Sequence, residues 1–164
     1  MIELVPMTET DFAEFRAYTL KGFAADKVQS GEWLAQDAQQ NASIGFENLL
    51  PQGMETANHF FYCLVDPELS QPVGYLWFQI RGEGTSRDAF IFDHLIHEQF
   101  RNRGYGTQSH QAMNAKLLAM NVETVATHVA AHNTASMRLL ERIGYRIAGI
   151  DLVRRLRKDD RGSV

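Results

Sequence analysis

The chain reads as an α/β protein of the α+β kind, with a mixed, largely antiparallel central sheet flanked by about four helices. Three observations predict this. Residues 60–65, 73–80 and 89–96 are aromatic and β-branched runs separated by short polar breaks, the pattern of an antiparallel meander. Residues 89–129 then read strand, turn, helix, strand, and such a unit adds a parallel neighbour to the sheet. Helical spacing of apolar residues marks 8–27, 33–50, 107–120 and 133–143.

In chain order, residues 2–7 form a short first strand closed at Pro6. Thr8 or Thr10 can cap the helix that follows, in which Phe12, Phe15, Tyr18 (or Thr19) and Phe23 keep helical spacing to about Lys27. Ser30-Gly31 breaks the pattern. Trp33, Ala38, Ile44, Phe46, Leu49 and Leu50 are the apolar points of a second helix, which Pro51-Gln52-Gly53 ends. After the strand at 60–65, Asp66-Pro67 and Gln71-Pro72 bracket a turn. The next strand, 73–80, carries Tyr75, Trp77 and Phe78, and the polar residues 81–87 are expected to be a hairpin loop. Phe90, Ile91, Phe92, Leu95 and Ile96 give the following strand its bulk.

Helix 107–120 is predicted from Met113, Leu117 and Met120, with Asn121 placed to end it in the left-handed region. Residues 123–129 are a further strand. In the last helix Asn133 is the cap, Met137, Leu140 and Ile143 face a core, and Gly144 closes the end. Residues 145–156 are expected to form one or two final strands around Gly149. With no repeat or linker in view, 1–156 is expected to be one domain and 157–164 a polar tail.

Composition narrows the function classes. The 164 residues are 45% apolar and 22% charged, with a net charge of −4. That suits one packed core and argues mildly against a nucleic-acid partner. Cys63 is the sole cysteine and sits in an apolar strand, so no internal disulfide forms and a reducing compartment fits. It reads as a small buried hydrophobe rather than a nucleophile. No apolar run approaches the ~18 residues of a membrane span and no signal peptide is evident, so the expectation is cytoplasmic, with no membrane partner. A monomer and a homodimer fit equally.

The chemistry is concentrated in residues 88–120. Between a strand and a helix lies Arg101-Asn102-Arg103-Gly104-Tyr105-Gly106. Gly104 and Gly106 permit positive φ and close approach of a ligand. The turn amides and the helix N-terminus make an anion site, and Arg101 and Arg103 add charge suited to phosphate. A phosphate-cradling NTPase turn needs Gly-Lys-Ser/Thr, but Thr107-Gln108 follows Gly106. A dinucleotide fingerprint needs a third glycine and an acidic residue closing the next strand; position 109 is Ser and that strand ends Thr127-His128-Val129.

The remaining pattern is Arg/Gln-x-x-Gly-x-Gly, and here the turn resembles the acyl-CoA pyrophosphate turn of the GNAT superfamily of N-acyltransferases. The resemblance extends to 73–78, to 89–93 and to Asn133-Thr-Ala-Ser-Met-Arg-Leu-Leu-Glu-Arg-Ile-Gly-Tyr145, where Leu140 stands at a position usually Tyr. It implies a GNAT-type fold and an acetyl-CoA-dependent N-acetyltransferase without a metal, acting on a small-molecule or peptide amine by direct attack in a ternary complex. The backbone of Leu95, Ile96 and His97 would pair with the pantetheine arm. Arg101, Asn102, Arg103, Gly104, Tyr105, Gly106 and Thr107 would hold the pyrophosphate, and Asn133, with Ser136 beside it, would reach the pantetheine.

The amine must be neutral to attack, which calls for a base. His128 is the first candidate, since histidine ordinarily titrates near ~6.5 and this one lies where the family often carries the base. Asp93, in an aromatic strand, is the second: such a carboxylate is costly to bury unless paired or facing a cleft. His94 and His97 would front that cleft only if the strand is bulged, as the family leads one to expect. His128 and His132 have metal-ligand spacing only on a helix, and here they run from strand into turn. Leu140 cannot protonate the departing thiolate, which keeps a rival in play: an acyl-CoA-binding sensor or interaction domain without catalysis.

Overall fold

The computed structural model describes residues 1–69, 71–84 and 86–156. Its elements are β1 (Glu3–Pro6), α1 (Glu9–Gln29), α2 (Ala35–Leu49), β2 (His59–Val65), β3 (Gly74–Glu83), β4 (Ser86–Ile96), α3 (Tyr105–Ala119), β5 (Thr124–Thr127) and α4 (Thr134–Arg142). The strands form one five-stranded sheet in the order β1-β2-β3-β4-β5. The first three pairings are antiparallel and β4 with β5 is parallel. This is the mixed sheet with four helices that the sequence predicts. By contacts the chain divides into two compact units, Met1–Ala17 with Leu50–Val129, and Tyr18–Leu49 with Ala130 onward.

In the first unit the sheet buries both faces. Thr8 caps α1 reciprocally: the Asp11 N–H donates to Thr8 Oγ1 at 3.2 Å, and the Thr8 N–H donates to Asp11 Oδ2 at 2.9 Å. The Thr8 hydroxyl also donates to Asp11 Oδ2 at 2.6 Å, and this bond, with the Thr8 N–H bond, holds the Asp11 carboxyl below its usual range. Two turns on, Phe15 meets Phe61, Tyr75 and Trp77 edge-on at 5.9 to 6.1 Å and is 1% exposed. Burial of such a ring stabilises by about 2 kcal/mol. The other face takes α3 through buried Met113 and Leu117, with the Lys116 ammonium over the Tyr62 ring at 5.1 Å. Cys63 is buried on β2, and burial with the Asp11 carboxylate pushes its thiol up to about 12, which suits an inert packing residue.

In the second unit Leu20, Ala24, Ala38, Ala42 and Phe46 are buried, and Phe23 meets Trp33 edge-on at 5.3 Å. Asn133 caps α4 by accepting the Ser136 N–H at 3.2 Å, and Gly144 closes that helix at φ +100. His132 Nε2 bonds Asp26 Oδ1 at 2.7 Å.

Three local expectations change. The loop expected over 81–87 is a tight hairpin, because Gly82 and Gly84 at φ +80 and +60 let the ladder run from Gly74 to Glu83 against Ser86 to Ile96. Helix α3 begins at Tyr105, so Gly106 lies inside its first turn, and only Gly104 takes positive φ, at +82. Residues 145–156 form no strand: Ile150 and Leu152 are 77% and 91% exposed. Their alternation is strand-like, but a strand exists only when its backbone has a ladder to join, which alternation cannot supply. The tail expected at 157–164 lies outside the described residues.

Candidate active site

The site is organised by a break in strand register. Trp77 pairs with Asp93, but the next residue, Phe78, pairs with Ile91, so Phe92 is an extra residue bulged out of β4. The bulge that the family leads one to expect is therefore present. Without it Asp93 would share a face with Ile91. With it, Asp93 joins the face of Trp77, where Phe92 stacks on the Trp77 ring at 4.5 Å. The Trp77 indole N–H donates to His59 Nδ1 at 3.0 Å beneath that stack, which keeps His59 an acceptor, and burial lowers its pKa.

Beyond the bulge, His94 and His97 are three residues apart and so take opposite faces of the strand. His97 follows Asp93 and Leu95 onto the Tyr75 face, meeting that ring edge-on at 5.0 Å. Burial, and then the Arg101 guanidinium, lower its pKa. His94 goes to the opposite face, against Ser109 and His110 of α3.

Beyond the bulge the outer edge of β4 is open: no described strand pairs with it. The ladder with β5 spans only Asp88 to Ile91, while β4 continues to Ile96. The His97 N–H donates to the Val73 carbonyl at 2.9 Å. Because bonding direction alternates along an antiparallel strand, Leu95 and Asp93 also point their amides into β3. The N–H groups of His94 and Ile96 therefore face the open edge. Of the predicted backbone donors Leu95, Ile96 and His97, only Ile96 points outward, and His94 joins it. Such alternation cannot be phased from sequence without the register. The Ile96 carbonyl accepts from Arg101 Nε at 3.1 Å, which ties the strand end to the turn.

The turn itself leads into α3. Asn102 and Gly104 both take left-handed φ, at +61 and +82. The first helical bond runs from the Gln108 N–H to the Gly104 carbonyl at 3.1 Å, so the amides of Tyr105, Gly106 and Thr107 precede it. Gly104 brings no side-chain cap and the first turn has no acidic residue. These amides have no helical acceptor, and with the helix dipole they leave the N-terminal end of α3 electropositive. Arg103 lies against the Phe100 ring at 5.8 Å, and Arg101, Asn102 and Arg103 are all exposed. The Tyr105 hydroxyl donates to Asp66 Oδ2 at 2.7 Å, raising the tyrosine pKa and lowering that of Asp66.

His128 is exposed and follows the last paired residue of β5, Thr127, which registers with Ile91. It thus stands at the point where the β4–β5 ladder ends. Thr127 Oγ1 donates to the Ile91 carbonyl at 3.1 Å and pins that end. In the second unit, the Asn133 side-chain oxygen is engaged with the Ser136 amide, while its NH2 donors take no part in the cap. Leu140 is 7% exposed, a core residue of α4.

One group was missed from sequence. Ser109 and His110 are buried at 1% and 3%, on the same α3 stripe as Met113 and Leu117. The signal was a histidine lying on the apolar spacing 110, 113, 117, which reads as helix pattern alone until a partner strand is known. Among the described residues no group of three or more His, Cys, Asp or Glu is placed to hold a metal ion. No described helix is long and apolar enough to cross a membrane.

Comparison with known proteins bears on this geometry. The model of the acetyltransferase (GNAT) family matches residues 25–145. The chain is 34% identical over 155 residues to the uncharacterized N-acetyltransferase YycN of Bacillus subtilis, covering 94% of this chain and 99% of that one. It is 28% identical over 153 residues to a second B. subtilis protein described in the same terms, YdgE, covering 93% and 97%. The crystal structure of YycN superposes with a TM-score of 0.90 at 33% identity, over 96% of this chain and all of that one. An acetyl transferase structure from Pyrococcus furiosus shares the fold at a TM-score of 0.69 and 17% identity, covering 95% and 100%.

Proposed function

The chain belongs to the acetyltransferase (GNAT) family, and we propose that it is an N-acetyltransferase that moves an acetyl group from acetyl-CoA to an amine by direct attack in a ternary complex. The observation that carries this reading is the open edge of β4 running into the uncapped N-terminus of α3. The first offers backbone donors to an extended amide-bearing arm, and the second offers backbone donors to a pyrophosphate. Both belong to the same strand-turn-helix unit, and together they fit acetyl-CoA. A mononucleotide would use only the second.

In this reading the amides of His94 and Ile96 hold the pantetheine. The amides of Tyr105, Gly106 and Thr107, with the Arg101 and Arg103 charges and the left-handed turn at Asn102 and Gly104, hold the pyrophosphate. Acetyl-CoA, when bound, supplies an activated acyl group and a thiolate leaving group of ordinary pKa ~8.5. The chain has to hold that group still, orient an amine and take its proton.

Exposed His128, at the end of the β4–β5 ladder, is the proposed proton acceptor, directly or through one water. Asp93, turned by the bulge onto the aromatic face, is the second residue proposed to act there, on a cationic amine. Leu140 offers no proton to the thiolate, so that proton comes from solvent. The acceptor is a small-molecule or peptide amine.

The experiment is amine-dependent release of CoA thiol from acetyl-CoA, across a panel of primary amines, polyamines and peptide N-termini. Release that depends on the amine supports transfer. Acetyl-CoA binding by calorimetry, with no release across the panel, would instead support the acyl-CoA-binding sensor that Leu140 keeps in view.

A further inference from the structure

We propose that His94 and Ser109 are positioning residues that lock the open edge of β4 to the first turn of α3, and so govern how tightly the two ends of CoA are held together. The inference rests on the acetyl-CoA reading above and goes beyond it in assigning the coupling between its two halves.

The bonds run in sequence from strand to helix. His94 Nε2 lies 2.7 Å from Ser109 Oγ, and Ser109 Oγ lies 3.0 Å from the Gly106 carbonyl. A serine hydroxyl has one proton, and the carbonyl can only accept, so that proton goes to Gly106. Ser109 must then accept from His94, which fixes the imidazole as the neutral tautomer protonated at Nε2. Burial, and then the nearby His110 ring at 4.5 Å, push the His94 pKa down to about 3, so this tautomer persists through the working range of pH.

His94 has a second connection. Its backbone N–H is one of those facing the open edge of β4, by the alternation set at His97 and Val73. Gly106, at the other end of the chain of bonds, supplies an amide in the first turn of α3. One residue thus offers a donor to the pantetheine half and, through Ser109, fixes the pyrophosphate half. A ligand spanning both halves needs them at a set separation, whereas a ligand using one half does not. Holding two subsites in register raises the affinity of a linked ligand without changing that of its parts.

The test measures three ligands by calorimetry: CoA, pantetheine, and 3′-phosphoadenosine 5′-diphosphate, which carries the pyrophosphate, with melting temperatures alongside. Ser109→Ala should weaken CoA about tenfold, as expected for loss of one positioning bond, and leave both fragments within about twofold. His94→Gln keeps a donor near the Nε2 position and should recover most of the CoA affinity; His94→Leu should not. If Ser109→Ala fails to fold because it strands the His94 donor, the double variant Ser109→Ala/His94→Leu removes both polar partners and should repeat the CoA-selective loss. Folded variants with native CoA affinity, or with equal losses for CoA and fragments, would overturn the coupling while leaving acetyl-CoA binding intact. Failure of the native chain to bind CoA would overturn the acetyl-CoA reading, and the coupling with it.

Discussion

At the scale of single residues, Gly104, His128 and Leu140 differ in what limits them. Gly104 sits at φ +82, and a Cβ there would meet only Gln108 Nε2 at 3.7 Å, an ordinary contact. The cost of Gly104→Ala is therefore conformational, about 1 kcal/mol, and not steric. The variant should fold, and calorimetry should show weaker CoA binding as the turn amides shift. Exposed His128 carries little packing. His128→Ala should lower kcat about 100-fold or more, with native melting temperature and near-native KM for acetyl-CoA, if it takes the ammonium proton. A variant with native kcat across pH removes it from the mechanism and leaves Asp93 to be tried. Leu140 is buried at 7% exposure. Simple restoration of an acid by Leu140→Tyr is thus not expected: the larger ring should cost about 1–3 kcal/mol by overpacking, read as a lowered melting temperature.

At the scale of elements, the β3–β4 pairing decides the site. It sets the bulge at Phe92, and the phase of alternation that turns the His94 and Ile96 amides outward. Gly74 allows this pairing, since a Cβ there would come within 1.9 Å of the Leu95 carbonyl oxygen. Backbone cannot yield to that contact without separating the strands. Gly74→Ala should therefore cost several kcal/mol and shift the urea midpoint sharply. CoA affinity of whatever folded fraction remains should fall too, because β4 moves. A variant with native stability would show the two strands to be looser than the register implies.

At the scale of the whole molecule, the two histidines between β4 and α3 tie stability to pH. Burial lowers His110 to about 4, and burial with His110 beside it lowers His94 to about 3, from an ordinary 6.5. The unfolded chain takes up protons at these positions below about 6.5 while the folded chain does not. Their contribution is therefore whole above 6.5 and is lost as pH falls toward 4 and then 3. At pH 5 the loss is on the order of 1–2 kcal/mol for each histidine. Urea unfolding at pH 7 and pH 5 should show the fall, and His94→Gln should make it shallower. Equal slopes for the two proteins would count against a His94 that stays neutral in the folded chain.

The sequence by itself determined what is encoded locally. The caps at Thr8 and Asn133, the left-handed stops at Asn121 and Gly144, and the Arg101–Gly106 turn depend on residues a few positions apart. The same holds for the meander and for the order of elements from β1 to α4, because a period of two or of 3.6 is visible in a short window. The tertiary structure alone decided which face each residue beyond the bulge occupies, and so set His94 against α3 and His97 beside Tyr75. It decided which β4 amides point outward, and it brought Ser109 under His94. It also left residues 145–156 without a ladder although their pattern alternates. Each of these depends on register between segments distant in the chain, and one extra residue in a strand reverses the face of every side chain after it, a change that no local window of sequence records.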